Sequence, residues 1–276
     1  MSLSTVLFLF LTHLGVGIAF TLALVSREAG VKFFRFNAGL AAILIAIALA
    51  FRYGVSGPAV SSPSREHQIA DLALACGEAA LVLYWATVGR SLARMRPAIA
   101  AVAIAGGLVA IVLQALDVSS GQSLAVQTLT VASFVTSAAL LGGTCTAMIL
   151  GHWYLVIPSL QVSHLQSIVR VHIASMLLRV VVVGVGVWFA LATSFAANPM
   201  LGPTFRRYIM SVDGIFFWQR VLFGLAGPAV LSYLTRETAK IRSTQSATGI
   251  LYVDFFTVVV GEVLAKYIVL ATHVAV

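Results

Sequence analysis

The sequence predicts an all-α, polytopic membrane bundle of eight transmembrane helices, and three observations lead there. Of the 276 residues, 60% are hydrophobic and only 9% are charged, where soluble domains carry about 25% charged residues. Mean hydropathy is +1.02. The chain also divides into apolar runs of the roughly 20 residues needed to cross a bilayer, with most Lys and Arg in the short connections between them. A chain this long can bury a core, but it lacks the polar surface to cover that core in water. The net charge of +8 would suggest nucleic acid in a soluble protein. Here the cations flank apolar runs, so they are read as topology signals and contacts to anionic lipid, with no nucleic acid.

The expected spans are 3–25, 33–51, 69–88, 98–116, 124–156, 164–194, 214–234 and 248–274, in a single domain covering 1–276. The first is read as a span and not as a signal peptide, because no charge precedes its apolar run and no A-x-A site follows. The fifth and sixth exceed the bilayer thickness and are expected to tilt or project. The connection RYGVSGPAVSSPSREHQ after the second span is rich in Gly, Pro and Ser and reads as irregular. After the sixth span, Pro199 and Pro203 interrupt helix. Phe205, Tyr208, Ile209 and Met210 then fit a short helix at the membrane interface. Pro228 is expected to bend the seventh span. Gly106, Gly107, Gly142, Gly143, Gly184, Gly186, Gly224 and Gly227 permit close helix packing. No internal repeat stands out.

Loops 1–2, 3–4, 5–6 and 7–8 carry ten Lys and Arg residues, against four in loops 2–3 and 6–7. This bias predicts odd loops in the cytoplasm and both termini on the outer, periplasmic side of a bacterial-type inner membrane. Cys76 and Cys145 sit inside apolar runs, and no CxxC occurs, so iron–sulfur, c-type haem and zinc-ribbon readings have no support. GxSxG, HExxH, Walker A and dinucleotide fingerprints are also absent from the sequence.

Ionisable residues within spans carry the candidate chemistry, since each costs a few kcal/mol unless paired or facing a cavity. Counting about 1.5 Å per residue from the loops brings His13, Glu78, Arg179 and Glu262 near the midplane. His172 and Asp254 fall toward the cytoplasm, and Arg220 and Lys266 toward the outside. Glu262 and Lys266 are four apart and can pair on one helix face. On the sixth span His164, His172, Ser175 and Arg179 share a face and form a polar stripe. Glu78 and Glu262 are the expected partners of Arg179. A bland reading has these groups paired to fix helix packing. The functional reading is a polar interior for protons, a quinone head group or a transported solute. His152 and His172, on adjacent antiparallel spans, are a candidate haem b pair. In GHWYLVIP, Trp153 and Tyr154 read as interfacial anchors ahead of Pro158. The segment SREAGVKFFRFN (26–37) reads as an aromatic-basic interfacial anchor or a partner-docking turn. Glu28, Glu66 and Glu237 read as solvated.

In the last span, Gly261-Glu262, Leu264, Lys266 and Tyr267 resemble the corresponding ending of the dimethyl sulfoxide reductase membrane-anchor family. Helix count and expected topology are similar as well. The resemblance implies an eight-helix, quinol-binding subunit that passes electrons to a docked iron–sulfur partner, with Glu262, Lys266 and Tyr267 lining a quinone pocket. The expectation is therefore a membrane subunit of a respiratory or redox complex, without catalysis of its own when isolated. It would bind quinone or quinol through His13, Glu78, His172, Arg179, Glu262, Lys266 and Tyr267. A small-solute or ion transporter and a non-catalytic assembly subunit are the alternatives.

Overall fold

In the computed structural model, residues 2–54, 65–157, 161–193 and 204–276 are described. They are all-helical, with eight helices long and apolar enough to cross a membrane. We label these α1 (Leu3–Leu22), α2 (Gly30–Gly54, entered through a 3-10 turn at Arg27–Ala29), α3 (Arg65–Thr87), α4 (Arg96–Val118), α5 (Leu124–Val156), α6 (Val162–Ala192), α7 (Val212–Lys240) and α8 (Thr244–Thr272). The irregular loop expected after α2 and Pro158, Pro199 and Pro203 fall largely or wholly outside the described residues.

The order of burial sets the architecture. In its most apolar stretch α1 is 78% buried, against 22% for α3, so α1 is a central post and α3 a peripheral helix. α1 packs on α2, α4, α5 and α8, and α5 in turn packs on α6 and α8, while α3 packs on α4 and α2. Ser2 and Ser123 cap α1 and α5 by accepting from Thr5 N and Val126 N, which satisfies one orphan N–H at each helix start. Small residues set the central contact. A Cβ on Gly17 would lie 2.0 Å from Ala138 O, so α1 and α5 meet backbone to backbone. Beside that contact Thr21 Oγ1 lies 2.7 Å from Thr146 Oγ1 and 3.2 Å from Gly142 O.

α7 is not uniform. Ile215–Val221 is α-helical, Leu222–Ala226 is a π-turn, and α-helix resumes at Gly227 with Pro228 in its first turn. The expected disturbance at Pro228 thus takes the form of a π-bulge just ahead of it, where the missing proline N–H would otherwise break the ladder. The expected short helix forms over Phe205–Ile209, and its apolar side is turned onto the bundle. Phe205, Tyr208 and Ile209 are buried in the bundle, and Phe205 stacks edge-on to Phe217 at 5.7 Å. Burial pushes the Tyr208 hydroxyl up to about 12. In GHWYLVIP, Trp153 packs on Phe33 at 5.8 Å. The Tyr154 hydroxyl donates to Gln161 O and accepts from Leu165 N, so these aromatics join α5 to α2 and α6 instead of standing free as anchors.

Candidate functional site: two buried polar centres on the last helix

The first centre surrounds Glu262 of α8. Arg179 of α6 donates to both carboxylate oxygens, Nε to Oε1 at 2.9 Å and Nη2 to Oε2 at 3.1 Å. Such a two-point contact fixes geometry as well as charge. Arg220 of α7 adds Nη2 to Oε1 at 2.8 Å. Lys266, one turn along α8, lies 3.7 Å from Oε2. Ser137 of α5 bridges these two residues, accepting from Lys266 Nζ at 2.6 Å and donating to Glu262 Oε2 at 2.5 Å. His13 Nδ1 of α1 lies 3.3 Å from the same hydroxyl. Because that hydroxyl gives its proton to Glu262, Nδ1 is the donor. Arg179 is completed by Ser133 O and Oγ and by the main-chain oxygen of Val276. Side chains from four helices therefore meet on one carboxylate, and α1 joins them through Ser137.

Three basic side chains face this one side-chain carboxylate. All four groups are at most 1% exposed. Arg220 Nε and Nη1 have no hydrogen-bond partner. The Arg220 guanidinium fits only because residues 224 and 261 are glycines. A Cβ on Gly224 would lie 2.0 Å from Arg220 Nη1, and one on Gly261 would lie 2.1 Å from Gly224 Cα.

The second centre lies two turns away, at His172 of α6. Thr144 Oγ1 donates to Leu140 O at 2.7 Å, so its contact with His172 Nδ1 at 3.0 Å has the ring as donor. On the other side, Nε2 lies 2.7 Å from Ser232 Oγ of α7 and 2.7 Å from Asp254 Oδ2 of α8. Neither Asp254 oxygen takes part in a well-aligned hydrogen bond. Nε2 thus has a hydroxyl and a carboxylate oxygen at the same distance, and only the hydroxyl is aligned for a hydrogen bond. Buried polar atoms are nearly always fully bonded, which makes an under-bonded carboxylate a marked group.

Unlike the first centre, this one adjoins a cleft. α6 and α7 part to leave a cleft of about 220 Å³ that Ser232 lines, together with Met176, Leu177, Val180, Tyr233 and Arg236. Leu177 and Tyr233 are 62% and 59% exposed, so the cleft opens on the bundle's outer apolar surface. Arg236 lies one turn from Ser232, on the same face.

The sequence-predicted residues separate accordingly. His13, Arg179, Glu262 and Lys266 come together, joined by Arg220. Glu78 does not join them and makes no contact with Arg179. It is half-buried on α3, its Oε2 has no partner, and α1 and α5 stand between it and α6. His172 belongs to the second centre. The stripe along α6 faces inward, but Ser175 bonds Val171 O of its own helix and does not link His172 to Arg179. The Glu28 and Glu237 side chains are exposed, as expected, and each has a surface partner: His164 lies 2.7 Å from Glu28 and Lys240 2.6 Å from Glu237. Tyr267 turns away from Glu262 to stack on Phe216 at 5.1 Å. His152 is exposed and lies 3.1 Å from the Tyr252 hydroxyl. With both ring nitrogens of His172 engaged, and its Cα only 3.6 Å from where a Cβ of Gly143 would stand, the His152–His172 pair does not fit bis-histidine haem ligation. No group of three or more His, Cys, Asp or Glu suited to a metal ion occurs among the described residues. Sequence reasoning missed Ser133, Ser137, Thr144 and Ser232. The spacing of Ser133 and Ser137, one turn apart on α5, was the signal available. Neither a comparison with protein-family models nor one with curated protein sequences finds a match for this chain.

Proposed function

We propose that this chain is a quinone-reactive membrane subunit of a redox complex, with the head-group site in the α6–α7 cleft over Ser232. One observation carries the reading: the buried His172–Asp254 contact lies one hydroxyl away from a cleft that opens on the bundle's apolar outer surface. At about 220 Å³ the cleft is smaller than the ~300 Å³ of a pocket that encloses a whole ligand. It suits a ring whose tail stays in lipid. Reduction of a quinone takes up two electrons and two protons. The proton of the His172–Asp254 pair is one of these, passed through the Ser232 hydroxyl to a ring oxygen. Quinol oxidation is the reverse step. Arg236 at the rim orients a second ring oxygen.

Electrons are exchanged with a redox partner subunit at the membrane face, as the resemblance of the final helix to the dimethyl sulfoxide reductase anchors implies. Charge bias puts the odd loops in the cytoplasm and the termini outside, in a bacterial-type inner membrane. The Glu262 centre is fully buried, so its part in this reading is to hold α6, α7 and α8 in register around the cleft. The reading favours a closed bundle with a lipid-facing cleft over a water-filled transport route. Titration of the purified protein with a fluorescent naphthoquinone analogue tests it. Saturable binding that weakens about tenfold in Ser232→Ala and Arg236→Gln is expected. Binding unaffected by both substitutions would sink the proposal.

A further inference from the structure

The first half of the bundle carries a different groove. Between α2 and α3 an open concavity of about 440 Å³ runs along one face of α2, past Phe36, Gly39, Leu40 and Ile43, with Trp85 of α3 as its other wall. Its walls face outward: Phe36, Ile43 and Trp85 are 54%, 59% and 40% exposed. Gly39 creates the space, because a Cβ there would lie 2.8 Å from Trp85 Nε1. The indole N–H has no bonded acceptor among the described residues.

One end of the groove is basic. Lys32 and Arg35 line it, and the Arg35 guanidinium sits 5.4 Å from the Trp85 ring centroid. Neither cation has a carboxylate partner among the described residues. The length is informative. From Lys32 to Ile43 is about 16 Å at 1.5 Å per residue, or half of a ~30 Å hydrocarbon core. A partner helix would run the full thickness, whereas a lipid from one leaflet runs half of it.

We propose that this groove binds an anionic phospholipid. The phosphate sits between Lys32 and Arg35, a glycerol-ester oxygen accepts from Trp85 Nε1, and an acyl chain lies on Phe36, Leu40 and Ile43. Basic pockets between membrane helices have this head-group chemistry. The assignment is independent of the quinone reading. It is tested on the full chain in detergent, by native mass spectrometry during titration with phosphatidylglycerol or phosphatidylcholine. Selective retention of phosphatidylglycerol is expected, weakened roughly tenfold or more in Lys32→Gln/Arg35→Gln. Arg94→Gln, which removes an exposed cation on the same side outside the groove, is expected to leave retention unchanged. Lys32 is exposed and Arg35 half-exposed, so an unchanged circular dichroism spectrum checks that the double variant folds. Three results would each overturn the proposal: equal retention of both lipids, an equal loss in Arg94→Gln, or saturable binding of inorganic phosphate with the same dependence on Lys32 and Arg35. A photo-cross-linker at position 36 that captures a protein helix in native membranes in place of lipid would do so as well.

Discussion

α8 buries two carboxylates, Glu262 and Asp254, both at 0% exposure, and their surroundings treat them in opposite ways. Glu262 accepts from Arg179, Arg220 and Ser137, and its two guanidinium partners are themselves fully buried. Asp254 has one close neighbour, His172, no well-aligned hydrogen bond, and a cleft one residue beyond. Burial alone therefore does not mark a reactive carboxyl. A saturated carboxylate is locked in charge and place and serves as a clamp. An under-bonded one beside an opening can exchange a proton. Single substitutions can break or sharpen this contrast.

The largest expected effect is at the clamp. Glu262→Gln removes the one side-chain carboxylate from among three buried basic side chains. Leaving buried charge without its counter-ion costs about 3–5 kcal/mol, and here three groups lose it together. Loss of folded protein, read by fluorescence-detected size exclusion and thermal unfolding in detergent, is the expected outcome. A stable Gln variant that lacks only activity would move Glu262 to the chemical side of the comparison.

At the second centre the same type of change is expected to spare the fold and stop the reaction. Asp254→Asn leaves a neutral side chain of the same shape beside His172, so the melting profile stays near wild type. On the proposed quinone reading, turnover with a quinol substrate in native membranes is expected to fall about 10²–10⁴-fold, the usual share of a positioned proton donor. His172→Ala should match it. Equal losses of stability and turnover in both variants would make the second centre another clamp.

Arg220→Met probes the crowding of basic side chains. Arg220 gives Glu262 one hydrogen bond and keeps two nitrogens unpaired. Removing it loses a charged hydrogen bond, but it also relieves two unsatisfied groups and the repulsion from the neighbouring basic side chains. A net cost of about 1–2 kcal/mol in thermal unfolding is expected, well short of Glu262→Gln. A cost as large as that of Glu262→Gln would show that the guanidinium contributes more than its single bond.

Much of the fold was legible because span length is a one-dimensional signal. Twenty apolar residues announce a crossing wherever they occur, and the expected spans match the eight helices. Angular phase was legible too, since 100° per residue turned His172, Ser175 and Arg179 inward together. Lateral neighbours were not. Depth counting grouped His13, Glu78, Arg179 and Glu262 by height alone, but height does not say which helices touch. That is decided by contacts such as Gly17 against Ala138 and Gly224 against Gly261, whose partners lie more than thirty residues away in sequence. Small hydroxyl residues were missed for a related reason: Ser and Thr are common in membrane helices, and only tertiary neighbours reveal Ser137 as a bridge and Ser232 as a partner of His172.

Glu78 is the smallest and most discriminating case. Depth made it a partner of Arg179, and packing instead puts it on α3, the least buried span, with one carboxylate oxygen unbonded. If packing decides, Glu78→Gln changes thermal stability by no more than about 0.5 kcal/mol, and quinone-analogue binding stays at the wild-type level. Combining it with Arg220→Met sharpens the test. Residues in separate layers with no shared partner give additive effects within about 0.3–0.5 kcal/mol, so the double variant should show the sum of the two singles. Coupling beyond that range would mean that the charge on α3 reaches the Glu262 centre through α1 and α5, and the two halves of the bundle would then have to be treated as one electrostatic unit.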